Sequence, residues 1–323
     1  MKNTLMTRRN LLKTTIVLSG GTALAHLFPG SLARAIAQQA AAPADPVAAM
    51  RAQMGATPIE VVKLSDTLSM LVGPGGNVVV LNGPDGKIVV DGFVQTAWPA
   101  LKKVLDGMGN QRIATMIDTH WHFDHADNNA NFRQAGAAVL AHENTRKRLT
   151  ETHDLLGMRF PPAPANAQPT QTFAQSQNMK ANGEAIELGY IPPSHTDTDI
   201  YVRFTGANVL HLGDTFFNGM YPVIDGGTGG SINGMIAAAD RSLKLADSRT
   251  RIVPGHGPLA DRAALQKFRD MMSATRDGIQ KLKSGGRTLE QVVAAKPTAS
   301  FDAAWGKGFL TPDQYVGFVY GTL

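Results

Sequence analysis

Positions 119–128, THWHFDHADN, hold three of the chain's nine histidines and two aspartates, with a tryptophan and a phenylalanine wedged between them. Imidazole nitrogens and carboxylate oxygens at this density are the donors of a divalent metal site. In an extended stretch, positions i, i+2 and i+4 point to one side, so His120, His122 and Asp124 are expected to converge, with His125 at the start of the next helix. Three further donors each follow a strand-like run: His195 after YIPPS, Asp214 in VLHLGDT and His256 in IVPGHG. Glycines beside Asp214 and His256 allow tight turns there. The chain has no cysteine, so thiolate ligation is excluded. The donors exceed what one tetrahedral ion takes and suit two zinc ions about 3.5–4 Å apart with a hydroxide between them. The same His/Asp set accommodates iron or manganese. His142 and His153 are expected at the surface or behind the site, and His211, inside a strand, is expected to be structural.

Strands must deliver these donors. Residues 59–93 alternate or run apolar between Gly-Pro, Gly-Gly and Pro-Asp-Gly turns, which predicts three or four antiparallel strands with a hairpin at 84–86. A helix is predicted over 96–108, a short buried strand over 112–119, a helix over 125–136 and a strand over 137–145. Strands resume over 184–195, 199–204 and 207–217. A Gly-rich loop at 225–231 leads to a helix over 232–246, and 250–259 is the last strand. Residues 160–176 lack periodicity and read as a surface excursion, and 38–57, rich in Ala, Pro and Gln, as a linker or arm. Strands, helix–strand alternation and strands again, with no long linker, predict one α/β domain over 58–323, with C-terminal helices from about 262.

At the N-terminus, paired Arg8 and Arg9 precede the apolar stretch 16–28, and Ala35-Ile36-Ala37 offers a small-x-small cleavage site. Residues 1–37 therefore read as a twin-arginine signal, with the export machinery as partner and a periplasmic or secreted destination. The apolar stretch is too short for a stable membrane anchor. Five of the 31 basic residues and none of the 26 acidic ones lie within it, so the remainder is formally neutral. The overall charge of +5 thus gives no support to nucleic-acid binding.

HxHxDH followed by single His, Asp and His donors resembles the ligand pattern of the metallo-β-lactamase superfamily, and the likeness runs from about 61 to about 265. It implies a four-layer αββα sandwich with metals at one edge of the two sheets, extended here by C-terminal helices. By position, it implies that His120, His122 and His195 hold a first zinc, that Asp124, His125 and His256 hold a second, and that Asp214 bridges both. Asp91, in IVVDGF, matches the family's early aspartate, which supports the ligands from behind. Branches with a cysteine ligand are excluded. LGDT and PGHG look more like the glyoxalase II group, and flavodiiron relatives carry Glu where His122 stands.

The resemblance implies a dinuclear zinc hydrolase in which hydroxide attacks an acyl carbon and Asp124 orients the nucleophile. A β-lactamase-like amide or ester hydrolase acting on a small molecule ranks first. A thioesterase or lactonase of the glyoxalase II-like group ranks second. The alternative of another class is a non-hydrolytic periplasmic accessory or binding protein. The loop 218–230 is expected to wall the pocket, with Trp121, Phe123, Phe216, Phe217, Met220 and Tyr221 as apolar lining.

Overall fold

The computed structural model describes residues 45–323. The expected signal, 1–37, and the first residues of the expected linker lie outside them. Helix α1 (Pro46–Gly55) comes first, its N-terminus capped by the Asp45 carboxylate, which accepts from the Ala48 N–H at 3.0 Å. Here the linker expectation is corrected. Arg51 of α1 grips Asp127 through two hydrogen bonds of 2.6 and 2.7 Å, so the segment is tied to the domain. A ten-residue helix with little apolar periodicity forms because it docks, and docking is not written in its own sequence.

Strands β1 (Glu60–Lys63), β2 (Leu68–Val72), β3 (Asn77–Leu81) and β4 (Lys87–Val90) form the expected antiparallel meander. Helix α2 (Trp98–Gly107) crosses to β5 (Ile113–Ile117), which runs parallel to β4. The helix expected over 125–136 is two short ones, α3 (Phe123–Ala126) and α4 (Asn129–Gln134). Asn128 interrupts them, because its amide is drawn to the carbonyls of Gly92 and Val94 at 2.7 and 2.9 Å. Then come β6 (Ala138–His142), α5 (Glu143–Arg148), the hairpin β7 (His153–Leu155) with β8 (Met158–Phe160), and β9 (Gln171–Phe173). The excursion expected at 160–176 therefore ends in a strand that pairs parallel to β6 at the sheet edge. Three residues are too few to show a period.

The second sheet holds β10 (Ser176–Ala181), β11 (Glu184–Tyr190), β12 (Ile200–Phe204), β13 (Val209–His211) and, after helix α6 (Ile232–Leu245), β14 (Arg251–Val253). Strand β10 is absent from the sequence expectations, since most of its residues are exposed and polar and it pairs on one side only. Helices α7 (Arg262–Ser284), α8 (Leu289–Ala294), α9 (Asp302–Trp305) and α10 (Pro312–Thr322) complete the chain.

Alternation along the strands builds four layers. Val79 and Leu81 of β3 point into a core shared with Ile186, Val202 and Phe204 of the second sheet. Val78 and Val80 point the other way, onto Leu101 and Leu105 of α2. On the far side, Leu210 and Ile252 meet Met235 of α6 and Leu265, Phe268 and Met272 of α7, the last three at helical spacing. This is the expected αββα sandwich. Tyr315 is fully buried, so α10 caps the helical layer.

Candidate metal centre

The donors gather where β5, β13 and β14 end. The HxHxDH stretch is not extended, however. Residues 119–121 bend away from β5, and His122 is the N-cap residue of α3 with Asp124 and His125 in its first turn. Convergence thus comes from a strand-to-helix turn, and strand alternation is not its cause. Asp214 sits in the 3-10 turn Gly213–Thr215, where Gly213 has φ +49°. Gly255, beside His256, leaves room for the Asp214 carboxylate that any side chain would strike.

Two groups of donor atoms result: His120, His122, His195 and Asp214 in one, and Asp124, His125 and His256 in the other, each within 4.8 Å. Asp214 touches both. Its Oδ2 lies 3.5 Å from His195 Nε2 and 3.2 Å from His256 Nε2, and its Oδ1 lies 3.2 Å from His125 Nε2. Asp124 Oδ2 is 3.4 Å from His256 Nε2.

Hydrogen bonds on the outer sides of the rings fix which nitrogen faces inward. His125 Nδ1 donates to Asp91 Oδ2 at 2.8 Å, leaving Nε2 inward. Thr119 donates its hydroxyl to the same oxygen at 2.9 Å and accepts from His120 Nδ1 at 3.1 Å. His195 Nδ1 donates to the Val223 carbonyl at 2.8 Å, and His122 Nε2 to Asp225 at 3.1 Å. The inward atoms of His122 and His195 then lie 2.9 Å apart with lone pairs facing. That repels unless a cation stands beside both. His120 Nε2, His125 Nε2 and Asp214 Oδ1 are buried with no hydrogen-bond partner. The residues therefore fit a divalent metal.

The electrostatics agree. Burial, reinforced by neighbouring His125, holds His120 well below the usual imidazole range, and burial with His122 lowers His195. Both are kept neutral, as ligands must be. Burial opposes ionisation of Asp214, but His256 and His125 outweigh it and hold the carboxyl well below its usual range. Burial likewise disfavours charge on His256, yet Asp214 and Asp124 raise it to about 9. The carboxylates call for positive charge at the place where a metal would supply it.

Asp91 stands behind His125, as the resemblance implied. Its backbone is left-handed, with φ +64°. Asp225 was not among the expected residues. Its position at the head of the Gly-rich loop was visible, but nothing in the sequence pairs it with His122. His211 is buried and structural as expected, its Nδ1 accepting from the Gly213 N–H. His153 is half-buried, its ring tilted against Trp121, whereas His142 is buried rather than superficial.

The expected pocket lining is largely corrected. The cavity over the donors, about 360 Å³, is lined by only Phe123 of the six aromatic and Met residues proposed. Trp121 lies against His122 and faces a neighbouring cavity, its Nε1–H donating to Thr228. Phe217 is buried, stacked flat on His256 at 5.1 Å. Phe216 packs on Phe268, and Tyr221 stacks on Tyr315. Met220 lies against Gly308. The loop after Asp214 turns under the C-terminal helices, so its apolar residues enter the helical layer. Of the 218–230 loop, Val223 reaches this cavity; the rest of the walls come from α1, the β7–β8 hairpin and the segment around the start of α10.

A family model described as the Metallo-beta-lactamase superfamily matches residues 71–256. Among solved structures, the chain is similar to a metallo-beta-lactamase from Pontibacter korlensis, at 17% identity and TM-score 0.55, covering 67% of this chain and 99% of that one. It is similar to the DIM-1 metallo-beta-lactamase at 16% identity and TM-score 0.56, covering 67% and 97%. A third likeness is to the stereoselective inverting sec-alkylsulfatase Pisa1 from Pseudomonas sp., at 15% identity and TM-score 0.60, covering 81% of this chain and 50% of that one. No curated protein sequence matches the chain.

Proposed function

Because this chain belongs to the metallo-β-lactamase superfamily, a group of metal-dependent hydrolases, we propose that it holds two zinc ions and opens an amide or ester bond of a small molecule. The observation that carries this is Asp214, whose carboxylate meets imidazoles of both donor groups on one cavity wall. Zinc bound there lowers the pKa of water towards neutrality and polarises the bond to be cleaved.

The chain's own residues supply the rest. Burial disfavours charge on Asp124, but His125 and His256 outweigh it and keep its carboxyl below the usual range. Lining the cavity as an anion, Asp124 orients an attacking water and accepts its proton. Asp91, Asp225 and the Val223 carbonyl hold the rings in one tautomer, so the donors are preorganised.

β-Lactam opening and ester, lactone or thioester hydrolysis share this chemistry, and an alkyl sulfate joins the panel through the likeness to the sec-alkylsulfatase. The test is metal analysis of the purified protein followed by nitrocefin, ester, lactone, thioester and alkyl sulfate assays. Chelation, His122→Ala and Asp124→Ala should each abolish turnover. Stoichiometric zinc without turnover on any substrate would favour an accessory or binding role. The paired arginines support export by the twin-arginine route, and Lys at Arg8 and Arg9 should retain the protein in the cytoplasm.

A further inference from the structure

The cavity over the donors has walls of a different chemistry from its floor. Met50 and Met54 reach it from α1, Leu155 and Leu156 from the β7–β8 hairpin, and Phe309 and Leu310 from the segment before α10. Among the described residues, no lysine or arginine lines it. Phe309 is 52% exposed and Leu156 41%, two of the three large hydrophobics that the described surface leaves open.

Leu156 stands out for its backbone. The hairpin pairs Leu155 with Met158, so Leu156 and Gly157 form its two-residue turn, at φ +53° and +75°. Two left-handed residues make a type I′ turn, which favours Asn-Gly or Asp-Gly. A leucine there is strained in its backbone and exposed in its side chain, two local costs. Strain of this kind beside a cavity points to a binding position, an inference that the lining must support.

Resting on the hydrolase reading above, we propose that the substrate is an uncharged ester or lactone whose hydrocarbon chain lies under Leu156 and Phe309 while its carbonyl meets the donors on the floor. The floor and the apolar walls are one continuous cavity, since His122, Asp124, His195, Asp214 and His256 line it too. A carboxylated β-lactam would find no side-chain cation in those walls. Hydrolysis adds the hydroxyl of water to the acyl carbon, breaks the acyl C–O bond and returns the remaining hydrogen to the departing alcohol.

The experiment uses the zinc-loaded protein with p-nitrophenyl esters from acetate to decanoate, alongside displacement of Nile red by 1-octanol. kcat/KM should rise about fourfold per methylene until the cavity is filled, in line with roughly 0.8 kcal/mol per buried methylene. Leu156→Asn suits the turn better than leucine and should fold at least as well. It and Phe309→Ser should each cut the octanoate-to-acetate ratio by about fivefold or more, and weaken octanol displacement. Val61→Ser, another exposed apolar position, should change neither.

A flat or falling chain-length profile in a protein that hydrolyses acetate would overturn the proposal while leaving the hydrolase reading intact. So would an unchanged ratio in both variants, or a monomer produced from a dimer by either, which would assign the patch to a second copy. Octanol binding that weakens in both variants, without turnover of any ester or of any other substrate in the panel above, would support the apolar pocket and sink the hydrolase reading instead. Neither turnover nor displacement would overturn both.

Discussion

Asp225 Oδ2 lies 3.1 Å from His122 Nε2, across 103 residues of chain, with both side chains buried. The carboxylate can only accept, so the imidazole donates from Nε2 and turns Nδ1 towards His195. Burial would push Asp225 towards its neutral form, but the hydrogen bond from His122, helped by the Thr228 hydroxyl, brings its pKa down to about 2. The ligand's orientation is therefore fixed throughout the neutral range.

Asp225→Ala should weaken zinc binding by about 10–100-fold, measured by competition with a chromogenic chelator. Asp225→Asn keeps an acceptor for the His122 N–H and should lose less. Equal zinc affinity in wild type and Asp225→Ala would refute the assigned role.

Asp91 carries a heavier structural load. It accepts from His125 Nδ1, the Thr119 hydroxyl and the Thr119 N–H, all within 2.9 Å. Asp91→Ala strands buried donors at a cost of about 1–3 kcal/mol each, so the melting temperature should fall by several degrees. Asp91→Gly relieves the left-handed backbone yet makes none of these bonds, and should fall comparably. Recovery by glycine would mean that backbone strain, not hydrogen bonding, governs the position.

The donors themselves were legible because histidine is scarce and each donor stands just after an apolar run: His120, His122, Asp124, His125, His195, Asp214 and His256 all come together. The sandwich was legible for the same reason, since β3, β4 and β5 have nearly every residue buried. What was hidden depends on partners far away in the chain. Asp225 shows nothing of His122, α1 lacks an amphipathic pattern of its own, and Phe216, Phe217 and Tyr221 read equally as pocket or core. The path of the chain after Asp214 places Phe216, Phe217 and Tyr221 in the core, and that path is set by packing against α7 and α10.

His142 gives a pH prediction away from the metal ligands. Its Nε2–H donates to the Ala174 carbonyl at 2.7 Å, its Nδ1 accepts from the Asn144 N–H, and its ring stacks on Tyr190 at 4.1 Å. Burial lowers its pKa below the ordinary 6.5, with the Ala174 bond only partly opposing it. Above pH 6.5 both folded and unfolded chains hold it neutral, so its contribution is fully present. As pH falls through 6.5 the unfolded chain takes up a proton first, and stability is lost until the folded pKa is reached. His142→Gln does not titrate, so the zinc-loaded variant should lose less stability than wild type between pH 7.5 and 5.5 in urea titrations. Parallel losses would show that His142 is not a source of the slope.

Removing the metal should destabilise the whole domain, because the donor cluster joins the ends of β5, β13 and β14. Without a cation, the lone pairs of His122 and His195 face each other at 2.9 Å, and the carboxylates of Asp124 and Asp214 share one buried space with charge met only by protonated histidines. A ligand that binds only the folded state adds about 4 kcal/mol at a thousand times its Kd. Chelated protein should therefore melt well below zinc-loaded protein and recover when zinc returns. Asp214→Ala, which touches both donor groups, should bind less than one equivalent tightly and show little further loss on chelation. A melting temperature indifferent to chelation in wild type, with the zinc removed by mass spectrometry, would show that the cluster folds without needing its metal.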